Sequence, residues 1–249
     1  MLKQVQHDRL YNARHCKSKC AFTLAEVLIT LVIIGVIAAL TLPNLISKYQ
    51  KQQTVVSLKK NYSILKNATQ LSMRENGPIS DWDYTLGYED FAKKYYTPYL
   101  KVNKIVNTTS PTYKSLNGNG TYSNVPRIKL ILDDGTIIVF YFINNTHYII
   151  VDINGFKGPN RVGRDLFAFT LLNLHNQLAT YVQYDYIAKD NSNQERNMEK
   201  ALFFGCAFSA NTMGGCHINA QGGWALGPGS YCSRKIELDG WQIKDDYPW

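Results

Sequence analysis

Residues 19–43 read KCAFTLAEVLITLVIIGVIAALTLP and contain the longest apolar run of the chain. The apolar part, Phe22–Leu42, has 21 residues and would measure about 30 Å as a helix, enough to cross a bilayer once. One carboxylate, Glu26, stands near its start. An acidic side chain in hydrocarbon is costly and usually has a functional partner. The run therefore predicts a membrane-inserted helix with an acid that needs a partner.

Basic residues flank this run on both sides. Residues 1–21 contain five basic residues and one acidic residue, and residues 44–75 contain six basic residues and one acidic residue. Residues 76–249 contain sixteen of each, so the net charge of +8 comes from the flanks of the run. A net positive charge on residues 76–249 would have favoured a polyanion as partner. The observed distribution favours a membrane and argues against nucleic acid as a partner.

Three kinds of targeting segment contain an apolar run. A secretory signal is cleaved at small residues after a short run; Ala38 and Ala39 could serve, but this run is long and Glu26 is out of place. A lipoprotein signal needs its cysteine after the run, whereas Cys20 precedes it. In the third kind, cleavage occurs before the run, which survives as the new N-terminus.

The hexapeptide AFTLAE, residues 21–26, resembles the cleavage and N-methylation site of type IV prepilins and of the pseudopilins of type II secretion. The family pattern is a short basic leader, a small residue that is usually Gly, then Phe-Thr-Leu-x-Glu and an apolar helix. Here Ala21 replaces the Gly. The resemblance implies that a prepilin peptidase cuts between Ala21 and Phe22 and methylates the new amine. Gly35 and Pro43 stand where the family often has residues that loosen the helix.

The resemblance also implies a role for Glu26 in assembly. In the family this acid is thought to pair with the N-terminal amine of a neighbouring subunit. Helix geometry offers a second partner, because the Phe22 amine of the same chain would lie one turn away. A third interpretation places Glu26 in the headgroup region, where its charge costs little.

The basic residues near the two ends of the run do not decide the topology. They are Arg14, Lys17 and Lys19 on one side and Lys48 and Lys51 on the other. The resemblance implies one span of the bacterial inner membrane with the leader in the cytoplasm and the body outside. It also implies later residence in an extracytoplasmic filament. The implied partners are the prepilin peptidase, other pilin or pseudopilin subunits, the membrane and an inner-membrane assembly platform.

A helical pattern continues after the apolar run. Apolar residues recur there in steps of three and four, which predicts one buried stripe. They are Val55, Leu58, Tyr62, Leu65 and Ala68. Because Gly77-Pro78 ends the pattern, we expect one helix over 22–75 with a kink at Pro43. The resemblance implies that residues 1–21 are a cytoplasmic leader that is removed and that residues 76–249 form a globular extracytoplasmic head.

Three β-like runs follow in the head: Arg127–Leu132, Thr136–Ile143 and Thr146–Val151. Short polar turns separate them, which predicts an antiparallel meander with one apolar face for the helix stripe to cover. A short helix is expected around Tyr88–Tyr95. The predicted fold class is α+β and pilin-like: a long N-terminal α-helix packed against a small antiparallel β-sheet, with a loop-rich C-terminal part.

A Gly-rich and Asx-rich loop follows the third run. Asp152, Asn154 and Asp165 could offer oxygens to calcium, an ion that some pseudopilins hold. The spacing is not that of an EF-hand, which needs a further acidic position and a closing Glu. Hydrogen bonds from the Asx side chains within the loop are the favoured interpretation. No cofactor is predicted.

The chain has five cysteines. They are Cys16, Cys20, Cys206, Cys216 and Cys232. The first two leave with the leader, and two of the remaining three should pair outside the cytoplasm. Cys216–Cys232, which would close a Gly-rich loop, is the first candidate, and Cys206–Cys232 is its rival. A zinc site that uses these cysteines with His217 matches no known ligand spacing.

The sequence has no P-loop, H-E-x-x-H, G-x-S-x-G or dinucleotide-binding fingerprint, and its histidines are dispersed. The sequence thus predicts no enzyme. The leading hypothesis is a structural prepilin or pseudopilin that is cleaved, N-methylated and polymerised into a pilus or secretion-type filament. The alternative is a minor pilin-like binding module at a filament tip, in DNA uptake or in adhesion. A membrane-anchored enzyme is the third possibility.

Overall fold

The computed structural model describes residues 22–109, 112–118, 120–122, 126, 128–143, 146–172, 177–179, 216–217, 229 and 231–249. The chain forms two compact units, Met1–Ser47 and Lys48–Trp249. Ala21 and Cys206, two of the residues singled out by the sequence, lie outside the described residues.

Helix α1 spans Leu24–Asn76 and begins in the first unit. Its large apolar side chains in that unit are exposed, from 43% for Val27 to 80% for Leu24. The helix is long and apolar enough to cross a membrane. It continues through Pro43 as helix, and the kink expected there stays a prediction. A helix that is apolar on all sides needs lipid or other helices around it.

In the second unit, the rear part of α1 buries one face. The predicted stripe is confirmed: Val55, Leu58, Leu65 and Ala68 are buried, and Tyr62 packs half-buried against the same core. Three polar residues, not foreseen from the sequence, share this face. They are Asn61, Thr69 and Ser72. Thr69 Oγ1 donates to the Leu65 carbonyl at 2.8 Å and shares a 2.9 Å hydrogen bond with the Tyr96 hydroxyl, so its burial is compensated.

The core of the second unit is a six-stranded antiparallel sheet. Its strands, in spatial order, are β1 (Val102–Asn107), β4 (Ile128–Leu132), β5 (Ile137–Ile143), β6 (Thr146–Asp152), β7 (Leu166–Leu172) and β8 (Gln177–Ala179). A two-stranded ribbon joins β2 (Tyr113–Lys114) to β3 (Thr121–Tyr122). The predicted meander is confirmed as β4–β5–β6, while β1, β7 and β8 were not foreseen.

The sheet is buried on both faces, which corrects the expectation of a single covered face. Ile138 and Phe140 of β5 belong to the core that includes the stripe of α1. Val139 and Ile150, which are register partners on β5 and β6, belong to a second core. Tyr113 and Tyr231 pack in that second core and help to cover it. These covering residues are distant in sequence from the strands, so the local alternation did not reveal them.

The described residues of the second unit also include two short α-helices. Helix α2 spans Tyr88–Tyr95, as predicted, and packs the Phe91 ring 5.5 Å from the Phe140 ring. Helix α3 spans Cys232–Leu238 in the part predicted as loop-rich. The fold prediction, a pilin-like α+β protein in which a long N-terminal helix packs with an antiparallel sheet, is confirmed.

Candidate functional site

Thr23 and Glu26 form a reciprocal hydrogen-bonded pair at the start of α1. The backbone N–H and the hydroxyl of Thr23 donate to Glu26 Oε2 at 2.9 and 2.8 Å. The backbone N–H of Glu26 donates to Thr23 Oγ1 at 3.2 Å. This is a capping box, with Thr23 as the N-cap residue and Glu26 at N3. The sequence analysis singled out Glu26 but missed this bond, although the T-x-x-E spacing is its signature.

The other polar side chains of the apolar run also bond within the helix. Thr30 Oγ1 donates to the Val27 carbonyl at 2.9 Å, and Thr41 Oγ1 donates to the Ile37 carbonyl at 2.9 Å. Side chains that return their hydrogen bonds to their own helix can face an apolar medium without a partner. The apolar run thus presents no unbonded hydroxyl to its surroundings.

The remaining N-terminal residues of interest are distributed along α1 and its approach. Phe22 precedes the helix in non-helical backbone, and its side chain is 83% exposed. Gly35 and Pro43 lie within α1. A Cβ added at Gly35 would meet no atom within 4 Å, so nothing within the described part of this chain requires glycine there.

Comparison with protein-family models gives two matches. Residues 16–42 match the prokaryotic N-terminal methylation motif, the prepilin-type cleavage and methylation signal of type IV pilins and pseudopilins. Residues 44–249, more than half of the chain, match the model described as "Family of unknown function (DUF6613)".

The chain belongs to this DUF6613 family. Its family region begins just after the methylation motif and includes the rear of α1 and the whole sheet. No curated protein and no solved structure matches the chain.

The prepilin-type signal confirms the resemblance found in the sequence. With the apolar start of α1, it fits anchoring in the inner membrane. It supports a pilin-type or pseudopilin-type structural subunit rather than an enzyme. For this DUF6613 chain, the N-terminal end of α1 is therefore the first candidate site.

The loop between β6 and β7 holds the second group of candidate residues. Asp152 and Asp165 are both buried. Asp152 Oδ2 accepts a 2.6 Å hydrogen bond from the Tyr113 hydroxyl, and Oδ1 accepts one of 3.2 Å from the Asn154 N–H. Asp165 Oδ1 accepts from Asn154 Nδ2 at 3.1 Å, and Oδ2 accepts from the Arg161 N–H at 3.0 Å. All four carboxylate oxygens thus accept from protein donors.

This arrangement suits a loop held by Asx hydrogen bonds better than a calcium site. Asn154 Oδ1 is buried and has no hydrogen-bond partner among the described residues. Calcium takes about six to eight oxygen ligands, and this atom would supply one. In the described part of the chain, no group of three or more His, Cys, Asp or Glu is placed to hold a metal.

Burial perturbs the ionisation of these acids. It raises the pKa of Asp152 to about 7 and the pKa of Asp165 to about 6. Burial, together with the Asp152 carboxylate, also raises the pKa of Tyr113 above its ordinary value. Asp152 and Asp165 also repel one another when both are ionised, so the stability of this loop depends on pH near neutrality.

Cys216 and Cys232 are joined by a disulfide with an S–S distance of 2.08 Å and a Cα–Cα distance of 4.8 Å. This is the pairing that the sequence analysis placed first. A disulfide removes both thiols from any zinc site.

The disulfide lies close to the β6–β7 loop. Gly163 in that loop has a φ of +78°, and a Cβ added there would stand 3.0 Å from Cys232 Sγ. The absence of a side chain at Gly163 permits this close approach.

Proposed function

We propose that this chain is the precursor of a pilin-like or pseudopilin-like filament subunit. Residues 1–21 are a cytoplasmic leader that a prepilin peptidase removes, after which the Phe22 amine is methylated. Residues 22–75 form a helix that crosses the inner membrane in its first half, and residues 76–249 form a head outside the cytoplasm. Assembly then draws the subunit from the bilayer into an extracytoplasmic filament.

One observation supports this proposal above the others. A prepilin-type signal at residues 16–42 leads into a helix whose front is apolar and exposed and whose rear forms part of the core of a folded head. Exposed apolar surface on this scale needs a non-aqueous neighbour. Lipid supplies it before assembly, and the helices of other subunits supply it afterwards.

Glu26 determines how neighbouring helices align along their axes in the filament. A carboxylate inside a bundle of apolar helices favours a cationic partner. The N-terminal amine created by cleavage at Phe22 is such a cation. Helices that align so that each Glu26 meets an amine are preferred over helices shifted along one another. Gly35 allows close helix approach, and Pro43 lets the helix bend as subunits pack.

Co-expression with a prepilin peptidase tests the processing step. Mass spectrometry of the full-length protein should show loss of residues 1–21 and an N-methylated Phe22. Ala21→Gly, which restores the residue that the family usually has, should be processed at least as fast, and a bulky Ala21→Leu should block cleavage. A mature N-terminus after Ala39 would instead indicate ordinary secretion.

Electron microscopy of sheared cell-surface material, with labelled antibody against the head, tests assembly. Label along the whole filament supports a polymerising subunit. Label at filament ends alone would favour the alternative of a minor, tip-located module. Processed protein that never leaves the membrane would contradict both.

A further inference from the structure

Two segments rich in basic residues meet at the point where the β6–β7 loop contacts α1. The Thr54 hydroxyl of α1 donates to the Arg164 carbonyl of the loop at 3.4 Å. Residues 48–59 of α1 contain three lysines, residues 153–164 of the loop contain one lysine and two arginines, and neither segment contains an acidic residue. Asp152 and Asp165, which flank the loop, are buried and accept hydrogen bonds from protein donors. The exposed charge of these two segments is therefore positive.

The guanidinium of Arg164 has no acceptor for its N–H groups within the described residues. It lies over the Trp249 ring, with Cζ 4.9 Å from the ring centroid, and its Nε is buried without a hydrogen-bond partner. Partial burial lowers the pKa of Arg164, the nearby Arg161 lowers it further, and the attraction of Asp165 offsets only part of this. A half-buried cation that stacks on a ring but donates to no acceptor favours an anionic ligand.

Two lysines stand beside this guanidinium in the sequence and in the fold. Lys51 is half-buried and precedes Thr54 by about one turn on the same face of α1. Lys157 is exposed in the loop and follows Phe156, whose side chain is 49% exposed. In the described part of the chain neither lysine forms an ion pair. Positive charge next to exposed aromatic rings is typical of protein surfaces that contact lipid headgroups.

The course of α1 indicates which anion is at hand. The apolar run ends at Leu42, and Lys48 follows it by less than about two helical turns. Thr54, which contacts the loop, directly precedes Val55, the first buried residue of the helix. The basic residues thus belong to the part of the head that follows the apolar run most closely along the chain. Lipid phosphates lie just outside the hydrocarbon layer that such a run spans.

We propose that Arg164 and Lys51 bind the phosphate of an anionic phospholipid headgroup in the membrane that α1 crosses. This inference rests on the membrane span in the proposed function, but not on cleavage or polymerisation. Arg164 donates hydrogen bonds to the phosphate oxygens, and Lys51 adds positive charge. Trp249 holds the guanidinium by stacking against it. The contact keeps the head at the membrane surface until assembly removes the subunit.

Native mass spectrometry of the full-length protein in detergent tests this site. The protein is titrated with short-chain phosphatidylglycerol, with phosphatidylcholine of the same chain length, and with inorganic phosphate. We expect adducts of phosphatidylglycerol at concentrations where those of phosphatidylcholine are rare. Equal retention of the two lipids would overturn the proposal. Displacement of phosphatidylglycerol by an equal concentration of inorganic phosphate would overturn the lipid as the ligand.

Three substitutions assign the binding to these residues. Arg164→Gln removes hydrogen bonds to a charged group and should weaken phosphatidylglycerol binding by about tenfold or more. Lys51→Gln removes one nearby charge and should weaken it by about fivefold. Lys104→Gln removes an exposed lysine of the edge strand β1 and should leave binding unchanged, which makes it the matched control.

Wild-type affinity in Arg164→Gln or in Lys51→Gln would overturn the site. Equal weakening in Lys104→Gln would do the same, because it would show that only total charge matters. If Arg164→Gln does not fold, Lys51→Gln decides the question.

Lipid binding and processing are measured separately, so the two proposals can fail separately. A protein that binds phosphatidylglycerol through Arg164 but is never cleaved or assembled would support this site and reject the proposed function. A protein that forms filaments, and whose lipid binding does not depend on Arg164, would support the proposed function and reject this site.

Discussion

The Tyr113 hydroxyl donates a 2.6 Å hydrogen bond to Asp152 Oδ2, and both side chains are buried. This bond ties the short β2–β3 ribbon to the end of β6. Its removal should be costly, since it leaves a buried carboxylate oxygen without its donor. Tyr113→Phe is expected to lower the free energy of unfolding by about 1–3 kcal/mol, measured by urea denaturation. Tyr141→Phe, at a half-buried site on the neighbouring strand, should cost under about 0.5 kcal/mol. Equal losses would remove any special role for this bond.

The stability of the head should rise on acidification from pH 8 to pH 5. The folded-state pKa of Asp152 is about 7 and that of Asp165 is about 6, both above the unfolded value of about 3.9. The folded state therefore binds these protons more tightly. The stabilisation is fully present below about pH 4 and is lost as the pH rises through the folded pKa values.

Urea midpoints measured between pH 5 and pH 8 check this direction. For the two acids together, the difference in unfolding free energy between these pH values is expected to be on the order of 4 kcal/mol. Asp152→Asn provides the control, because the amide oxygen can still accept from Tyr113 but cannot ionise. Its midpoint should vary less with pH than that of the wild type. A wild-type protein that is most stable at pH 8 would contradict the proposed cause.

The Cys216–Cys232 disulfide should stabilise the C-terminal part of the head. The bonded cysteines are 16 residues apart, and closing a loop of that length contributes about 3 kcal/mol. Cys216→Ser and Cys232→Ser should each lower the unfolding free energy by similar amounts, and the double variant should cost no more than either. Peptide mapping without reductant should find Cys206 as a free thiol. A Cys206–Cys232 peptide would establish the rival pairing.

Glu26→Ala should separate membrane insertion from assembly. The variant loses the charge and the capping bond, so insertion and cleavage should persist while filament formation falls at least tenfold. Membrane fractionation and mass spectrometry measure the first two, and filament yield measures the third. Filaments at the wild-type level would show that assembly does not require pairing of Glu26 with an N-terminal amine.

The stripe of α1 should contribute directly to the stability of the head. Leu65 is fully buried, and Leu65→Ala is expected to cost about 2–5 kcal/mol because it leaves a cavity against the sheet. Asn67→Ala, on the exposed side of the same turn, should change stability by less than about 0.5 kcal/mol. Thermal unfolding of both variants, in the same detergent, compares them. A similar melting temperature in both would mean that the helix does not share the core of the head.

The local sequence predicted those helices and strands in which apolar residues recur at regular intervals. The stripe of α1, helix α2 and the strands β4 to β6 follow from steps of three and four or from alternation between turns. The sequence analysis did not predict strand β1, VNKIVN. It is an edge strand with exposed Asn103, Lys104 and Asn107, so its sequence shows no alternation between a buried and an exposed face. Strand β7, LFAFTLL, is apolar except for Thr170, which is typical of a strand buried on both faces, but the sequence analysis made no prediction for it.

Other features depend on contacts that the local sequence does not encode. Helix α3 is only seven residues long and is fixed by tertiary bonds. Among these are the disulfide and a 2.7 Å hydrogen bond from Ser233 Oγ to the Ala168 carbonyl. At the N-terminal site, the motif identified Phe22 and Glu26. The bond to Thr23 was missed, although the T-x-x-E spacing of a capping box indicates it.

The shared use of α1 also limits how the protein can be cut for biochemistry. Its apolar front belongs to the unit that ends at Ser47, while the first buried residue of the rear stripe is Val55. A water-soluble fragment suited to crystallisation or antibody production would therefore have to start between these two positions. A fragment that starts earlier retains exposed apolar side chains that promote precipitation. A fragment that starts later loses helix residues that cover the hydrophobic core.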